Sequence, residues 1–159
     1  MRVPTIVRAL GVGAGALIVA TLIYAAVDQT KIIEVNTPTE LDKILNEHPL
    51  VVAEFYNPEC PVCQQFQKSH IFEDAARSLP HITFIKVSSV QGKDLHKEYS
   101  ITHYPTFIYF KDKKQVPVYL KEYGEEKAYD RFEGFVDGAA FMHQVTDIFG
   151  RAERESAKE

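Results

Sequence analysis

The sequence has no tryptophan, two cysteines and no excess of basic residues. Two cysteines are too few for a disulfide-stapled scaffold or for a metal site built from three or four cysteines, although they still allow one reactive pair. The net charge of −4 argues against nucleic acid as a partner, because nucleic-acid binding favours a basic face. Eight glycines and eight prolines in 159 residues exclude collagen-like and proline-rich chains. The composition, 45% hydrophobic and 25% charged, is that of a globular domain.

The longest uncharged run lies near the amino terminus. Residues 9–27 carry no charge, Arg2 and Arg8 precede them, and Asp28 follows. As a helix, this run would be about 28 Å long, close to the bilayer core of about 30 Å. We therefore predict one transmembrane or signal helix within residues 1–27, with a buried core helix as the alternative.

The flanks of this run favour an uncleaved signal-anchor over a cleaved signal peptide. Cleavage needs a small residue three positions before the cut, and the bulky Ile23 or Tyr24 would stand there. Because the arginines precede the run, the positive-inside rule predicts that the rest of the chain lies on the extracytoplasmic side of the membrane. A bacterial periplasm is favoured, and the lumen of the endoplasmic reticulum is possible.

Hydrophobic periodicity in the remainder predicts one α/β domain at residues 28–150, followed by a charged, disordered tail at residues 151–159. The pattern predicts helices at residues 37–49, 60–79, 94–99 and 139–149. It predicts strands at residues 50–56, 81–87, 106–110 and 116–120, and an exposed loop at residues 121–130. This order is typical of a central mixed sheet with helices on both faces.

Cys60-Pro61-Val62-Cys63 follows a predicted strand and opens a predicted helix. The N–H groups and dipole of a helix amino terminus stabilise an anion, so the pKa of Cys60 should be lowered. This placement predicts that Cys60 is the attacking nucleophile and that Cys63, one turn further on, resolves the mixed disulfide.

Two structural interpretations compete with this one: an inert disulfide, or a pair of buried thiols. A metal site would need His70 or His81 as further ligands, and their spacing from the cysteines is not a usual zinc pattern. We therefore expect no metal and no organic cofactor.

Glu54 stands inside a mostly apolar strand, six residues before Cys60. Burial should raise the pKa of this carboxyl, which would then accept the Cys63 proton during resolution. The alternative is a structural ion pair with a lysine such as Lys86. Glu59 adjoins Cys60, and its negative charge should oppose thiolate formation.

Residues 54–63, EFYNPECPVC, are similar to the E-F-Y-x-P-x-C-x-x-C motif of the thioredoxin superfamily, and especially of its protein disulfide isomerase-like domains. The stretch ending in Tyr104-Pro105-Thr106 resembles a second motif of the same family, and the similarity extends over residues 35–150. The resemblance implies a thioredoxin fold with a cis Pro105 beside the cysteine pair.

The resemblance also implies that Tyr104 and Pro105, with Pro61 and Val62 between the cysteines, form the substrate-binding surface. Several positions depart from the family pattern: Glu59 replaces a tryptophan, Pro-Val stands between the cysteines, and Lys68 replaces a helix proline. The segment at residues 111–131 is also longer than the family's hairpin.

These observations predict a thiol–disulfide oxidoreductase that acts on cysteine-containing protein substrates and exchanges electrons with a redox partner protein. Reductase activity is favoured because Glu59 disfavours the thiolate and the chain has no second redox centre. The alternatives are a disulfide oxidase or isomerase, and a non-catalytic adaptor that keeps the fold and uses its groove to bind a partner. A third interpretation is a metal or cluster held between two chains by their cysteine pairs.

Overall fold

The computed structural model of the chain describes residues 32–158. The predicted transmembrane or signal helix at residues 1–27 lies outside these residues. Within residues 32–158, no helix is both long enough and apolar enough to cross a bilayer.

The described residues alternate between strands and helices for most of their length. The strands are β1 (Ile33–Glu34), β2 (Leu50–Tyr56), β3 (Thr83–Ser88), β4 (Thr106–Lys111), β5 (Lys114–Val116), β6 (Val118–Glu122), β7 (Glu125–Tyr129) and β8 (Phe132–Glu133). The helices are α1 (Pro38–Glu47), α2 (Pro61–Lys68), α3 (Ile71–Ser78), α4 (Lys93–Glu98) and α5 (Gly138–Ser156).

The central sheet has the strand order β1-β3-β2-β4-β5, and β8 also pairs with β4. Strands β1, β3 and β2 are parallel, whereas β4 runs antiparallel to β2. The predicted mixed sheet is therefore confirmed. Its middle strand, β2, is bonded on both sides and carries the apolar run that predicted a buried strand.

Two apolar cores cover the two faces of the sheet. Residues of α2, α3 and α5, such as Phe66, Phe72 and Phe141, pack on one face. Residues of α1 and α4, such as Leu41 and Leu95, pack on the other face. The helices thus flank the sheet on both sides, as predicted, and β2 is held between the two cores.

The predicted single helix at residues 60–79 is two helices in the structure. Helix α2 ends at Lys68, and His70 adopts the left-handed conformation with φ of 55° before α3 begins. The Ser69 hydroxyl also donates a hydrogen bond to the Phe66 carbonyl oxygen at 2.6 Å. Neither residue is a helix breaker as strong as proline or glycine, so the sequence carried little signal for this break.

The segment at residues 116–130 also differs from the prediction of one edge strand and an exposed loop. Pro117 separates β5, which belongs to the central sheet, from β6, because proline cannot donate a ladder hydrogen bond. Strands β6 and β7 pair as a separate hairpin. Tyr123 and Gly124 both have positive φ, which suits a two-residue hairpin turn.

The predicted disordered tail is helical for most of its length. Helix α5 continues from Gly138 to Ser156, well past the predicted start of disorder at residue 151. Ala152 is buried, and the Lys111 ammonium donates hydrogen bonds to its carbonyl oxygen and to the Ser156 hydroxyl. The prediction was wrong because it weighed the charge of the tail and not these contacts with β4.

Candidate active site

The two cysteines lie at the amino terminus of α2, immediately after the central strand. Cys60 is the N-cap residue, Pro61 occupies the first helical turn, and Cys63 is buried with no solvent exposure. Proline is favoured at this position because the first helical N–H groups have no partner within the helix. Both cysteines are reduced, and Cys60 is only partly buried. One thiol is therefore accessible from solvent and the other is not.

The surroundings of Cys60 favour its thiolate. The backbone N–H of Cys63 points at the Cys60 sulfur and is the main cause that lowers the pKa of Cys60; the Cys63 thiol and the Val62 N–H add to it. Partial burial acts in the opposite direction and is outweighed. The neighbouring Glu59 side chain is exposed, so solvent screens its charge.

The surroundings of Cys63 favour its thiol. Burial is the main cause that raises the pKa of Cys63 to about 12, and the charges of Cys60 and Glu54 raise it further. A hydrogen bond from the Asn57 backbone lowers it in part. The pair thus consists of one cysteine whose thiolate is favoured and one whose protonated thiol is favoured.

Pro105 lies beside Cys60, as the family resemblance implies. The Tyr104–Pro105 peptide bond is cis, and the Cys60 Sγ atom lies 3.7 Å from the Tyr104 carbonyl oxygen, within reach of a thiol hydrogen bond. Tyr104 is partly exposed and Pro105 is buried. The structure therefore brings residues 44 positions apart in the sequence to the same surface.

Glu54 lies within the core on the face that α2 and α3 cover. It shares this face with Val52, since alternate residues of a strand point the same way. In the strand register it stands opposite Lys86 of β3 and Phe107 of β4, and Lys86 in turn stands opposite Glu34 of β1. A row of two carboxylates and one ammonium thus crosses three strands.

The Glu54 carboxyl is fully buried, and neither of its oxygens accepts a hydrogen bond from residues 32–158. The Lys86 Nζ atom lies 3.8 Å from Oε2, which is an ion-pair distance but too long for a hydrogen bond. Burial raises the pKa of Glu54 to about 7, because the attraction of Lys86 offsets only part of the desolvation. The proton-acceptor and ion-pair interpretations of Glu54 are therefore compatible.

The sequence and fold of this chain are similar to those of known proteins. The family model for thioredoxin matches residues 32–137. The chain belongs to the thioredoxin family. The thioredoxin of Mycoplasmoides gallisepticum is 35% identical to it over 80 residues, which cover 50% of this chain and 78% of that protein.

Two further relatives agree with this assignment. The X-ray structure of Fasciola hepatica thioredoxin superposes with a TM-score of 0.59 at 27% identity, and covers 74% of this chain and 99% of that one. Protein disulfide-isomerase A4 of Bos taurus is 31% identical over 84 residues, which are 50% of this chain but 13% of that protein. The spacing of Cys60 and Cys63 fits the CxxC site of the family.

The remaining predicted site residues of this thioredoxin-family domain lie at its surface. Pro61 is exposed, and Val62 is 41% exposed, which is unusual for a large apolar residue in residues 32–158. Together with Tyr104, they border the Cys60 sulfur. Across that same part of the chain, no group of three or more His, Cys, Asp or Glu side chains is arranged to hold a metal ion.

Sequence reasoning missed His96, which supports the Tyr104 side chain. Its Nε2 atom lies 3.1 Å from the Val87 carbonyl oxygen, which only accepts, so Nε2 carries the proton. Nδ1 can then accept a hydrogen bond from the Tyr104 hydroxyl, 3.3 Å away. Burial lowers the pKa of His96 and favours this neutral form. No local sequence pattern distinguishes this histidine from an exposed one.

Sequence reasoning also missed Glu73 of α3. Its Oε1 atom accepts a hydrogen bond from Lys86 Nζ at 2.9 Å. Only the fold brings α3 over the row of charges on the sheet, and no spacing in the sequence indicates it.

The asymmetry of the two thiols predicts a large difference in alkylation. In the Cys63→Ser variant, Cys60 should react with iodoacetamide at pH 7, with a midpoint below the roughly 8.5 of a free thiol. In Cys60→Ser, Cys63 should react at least about a thousandfold more slowly, because it is buried and protonated. Rates measured by mass spectrometry across pH test this, and equal rates in the two variants would contradict it.

Proposed function

We propose that this chain is a thiol–disulfide oxidoreductase that exchanges disulfides with cysteine-containing proteins. The observation that carries the proposal is the difference in accessibility and pKa between its two cysteines. An accessible Cys60 with a lowered pKa stands one helical turn from a buried Cys63 with a raised pKa. This arrangement suits a reaction in two steps, in which Cys60 attacks the substrate first and Cys63 reacts only in the second step.

In the first step, the Cys60 thiolate attacks one sulfur of a substrate disulfide. A Cys60–substrate disulfide bond forms, and the other substrate sulfur leaves as a thiolate. In the second step, Cys63 attacks Cys60, a Cys60–Cys63 disulfide forms, and the remaining substrate sulfur leaves. The cysteine pair loses two electrons, and the substrate disulfide gains them.

The second step needs a base, because Cys63 is held as a thiol. Glu54 is suited to this task, since its charge is one of those that raise the pKa of Cys63 and its own pKa is about 7. A base whose pKa lies near the working pH transfers protons most effectively. Glu54 therefore takes the Cys63 proton as the thiolate attacks.

The surface around Cys60 supports recognition of an extended peptide. The Tyr104 carbonyl oxygen points to the reactive sulfur, and Val62 offers an exposed apolar side chain beside it. In this proposal the backbone of Tyr104 pairs briefly with the substrate, while Pro61, Val62 and Pro105 form the walls of the site.

The proposal also covers the direction of electron flow and the side of the membrane on which the domain lies. The uncharged run at residues 9–27, after Arg2 and Arg8, supports a domain anchored on the extracytoplasmic side of a membrane. The reductase direction is supported by the negative charge of Glu59 next to Cys60, which opposes the thiolate to the extent that solvent leaves this charge unscreened. A reductase on that side of a membrane needs a redox partner protein to reduce its disulfide again.

Matched serine variants test the mechanism. Cys60→Ser should reduce a protein disulfide no faster than the solution reductant alone. Cys63→Ser should still attack and should accumulate a mixed disulfide through Cys60, because the resolving sulfur is missing. Mass spectrometry after reaction with a disulfide-containing protein detects this adduct. Exchange that persists in Cys60→Ser, or wild-type protein without exchange, would instead favour the non-catalytic adaptor.

The reduction potential of the cysteine pair tests the direction of electron flow. For a reductase, equilibration of the full chain with a glutathione series should give about −250 mV or lower, near the reducing end of the family. The fraction of the Cys60–Cys63 disulfide can be measured by trapping free thiols. A value of about −120 to −180 mV would contradict the reductase direction and indicate an oxidase or isomerase.

A further inference from the structure

The Lys86 ammonium lies between two carboxylates and binds one of them more closely. Its Nζ atom is 2.9 Å from Glu73 Oε1 and 3.8 Å from Glu54 Oε2. The shorter contact is a charge-assisted hydrogen bond and the longer one is not. Lys86 therefore makes its hydrogen bond with Glu73, and it acts on Glu54 through the attraction of opposite charges across 3.8 Å.

The environment of Glu73 explains this preference. The Glu73 side chain is 30% exposed, whereas that of Glu54 is fully buried, so less water must be removed from an ionised Glu73. Glu73 also lies in the first turn of α3, where the helix dipole favours a negative charge. The neighbouring Phe72 ring lies 5.4 Å from the same ammonium and helps to hold it toward α3.

The groups that act on the charge of Glu54 come from three elements: Lys86 on β3, Glu73 on α3 and Glu34 on β1. The charge of Glu54 in turn acts on Cys63 of α2 and Tyr56 of β2 itself, and β4 presents the apolar Phe107. Within this set the only cation is Lys86. A group that draws Lys86 away from Glu54 therefore adds to the effect of burial and helps that carboxyl to hold a proton.

We propose that Glu73 is a positioning residue for the proton transfer, because it holds the Lys86 ammonium away from Glu54 and so keeps the buried carboxyl able to take the Cys63 proton near neutral pH. The inference rests on the proposed role of Glu54 and adds the residue that sets its working range. The negative charge of Glu73 acts in the same direction, since it opposes ionisation of Glu54.

Replacing Glu73 therefore has an effect of defined sign. In Glu73→Gln the ammonium has lost its ionised partner on α3, and Glu54 becomes the nearest carboxylate available to it. The closer ion pair and the missing negative charge both favour ionised Glu54. The midpoint of the Glu54-dependent step should fall by about one pH unit.

Asp74, the residue after Glu73, offers a matched control for the Glu73→Gln variant. Asp74 lies on the same turn of α3, and it forms its ion pair with Arg77 at the surface, away from Lys86. Asp74→Asn removes the same charge from the same helix, and 60% of the Asp74 side chain is exposed. Glu73→Asp, which keeps a carboxylate on α3, serves as the conservative variant.

A stopped-flow reaction with dithiodipyridine separates the two chemical steps in the full-length reduced protein. Attack by Cys60 releases the first thiopyridone, and attack by Cys63 on the resulting mixed disulfide releases the second. The rate of the second phase is recorded from pH 5 to 9 for wild type, Glu54→Gln, Glu73→Gln, Glu73→Asp and Asp74→Asn. The first phase, measured in the same trace, reports whether each variant keeps an intact site.

In the wild type, the rate of the second phase should change with a midpoint near pH 7. Asp74→Asn and Glu73→Asp should largely keep this midpoint, and Glu73→Gln should lower it. Glu54→Gln should abolish the inflection. An unchanged midpoint in Glu73→Gln, with the inflection still lost in Glu54→Gln, would overturn the role of Glu73 and leave that of Glu54 intact. An inflection that survives in Glu54→Gln would overturn both.

Discussion

In the proposed mechanism, the reaction depends on one carboxyl group buried in the middle of the sheet. Glu54 lies on the central strand, fully removed from solvent, and among residues 32–158 the Lys86 ammonium, 3.8 Å away, is the cation that offsets its charge. In that environment the carboxyl favours its protonated form at a higher pH than usual, and so does the neighbouring Cys63 thiol. The negative charge of an ionised Glu54 makes it harder for Cys63 to ionise. In the proposed mechanism, Glu54 captures the proton that Cys63 loses, whereas Cys60 at the helix amino terminus needs no such base.

This arrangement is unfavourable for folding. The pKa of Glu54 lies above that of an ordinary glutamate, so between about pH 4.5 and 7 the folded chain holds a proton that the unfolded chain has lost. The protonated carboxyl therefore contributes fully to the free energy of unfolding below about pH 4.5, and this contribution falls as the pH rises to about 7. The loss is on the order of 3 kcal/mol above pH 7, a large fraction of the 5–15 kcal/mol typical of a domain. A polar group that the fold tolerates at such a cost points to a role in the reaction.

Local patterns were enough to predict the mixed sheet and the positions of Cys60 and Cys63, since a strand followed by CPVC and an apolar helix indicates a helix amino terminus directly. Glu54 was detectable as one charge in an apolar strand. The hydrogen bond between Lys86 and Glu73 was not, because it joins β3 to α3 and depends on the strand register and the break at His70. The β6–β7 hairpin was missed for a similar reason: its charged residues suggest a loop, and only the Tyr123-Gly124 turn brings its strands together.

Direct titration of the Glu54 carboxyl tests whether its pKa suits the proposed role as acceptor of the Cys63 proton. The carboxyl carbon is observed by ¹³C NMR in the reduced full-length protein across pH 4 to 9, with assignment from Glu54→Gln. We expect a midpoint of about 7, far above that of an exposed glutamate, if Glu54 accepts the Cys63 proton. A midpoint near 4.5 would mean that the carboxyl is already ionised throughout the working range. Such a result would contradict its role as the acceptor of the Cys63 proton.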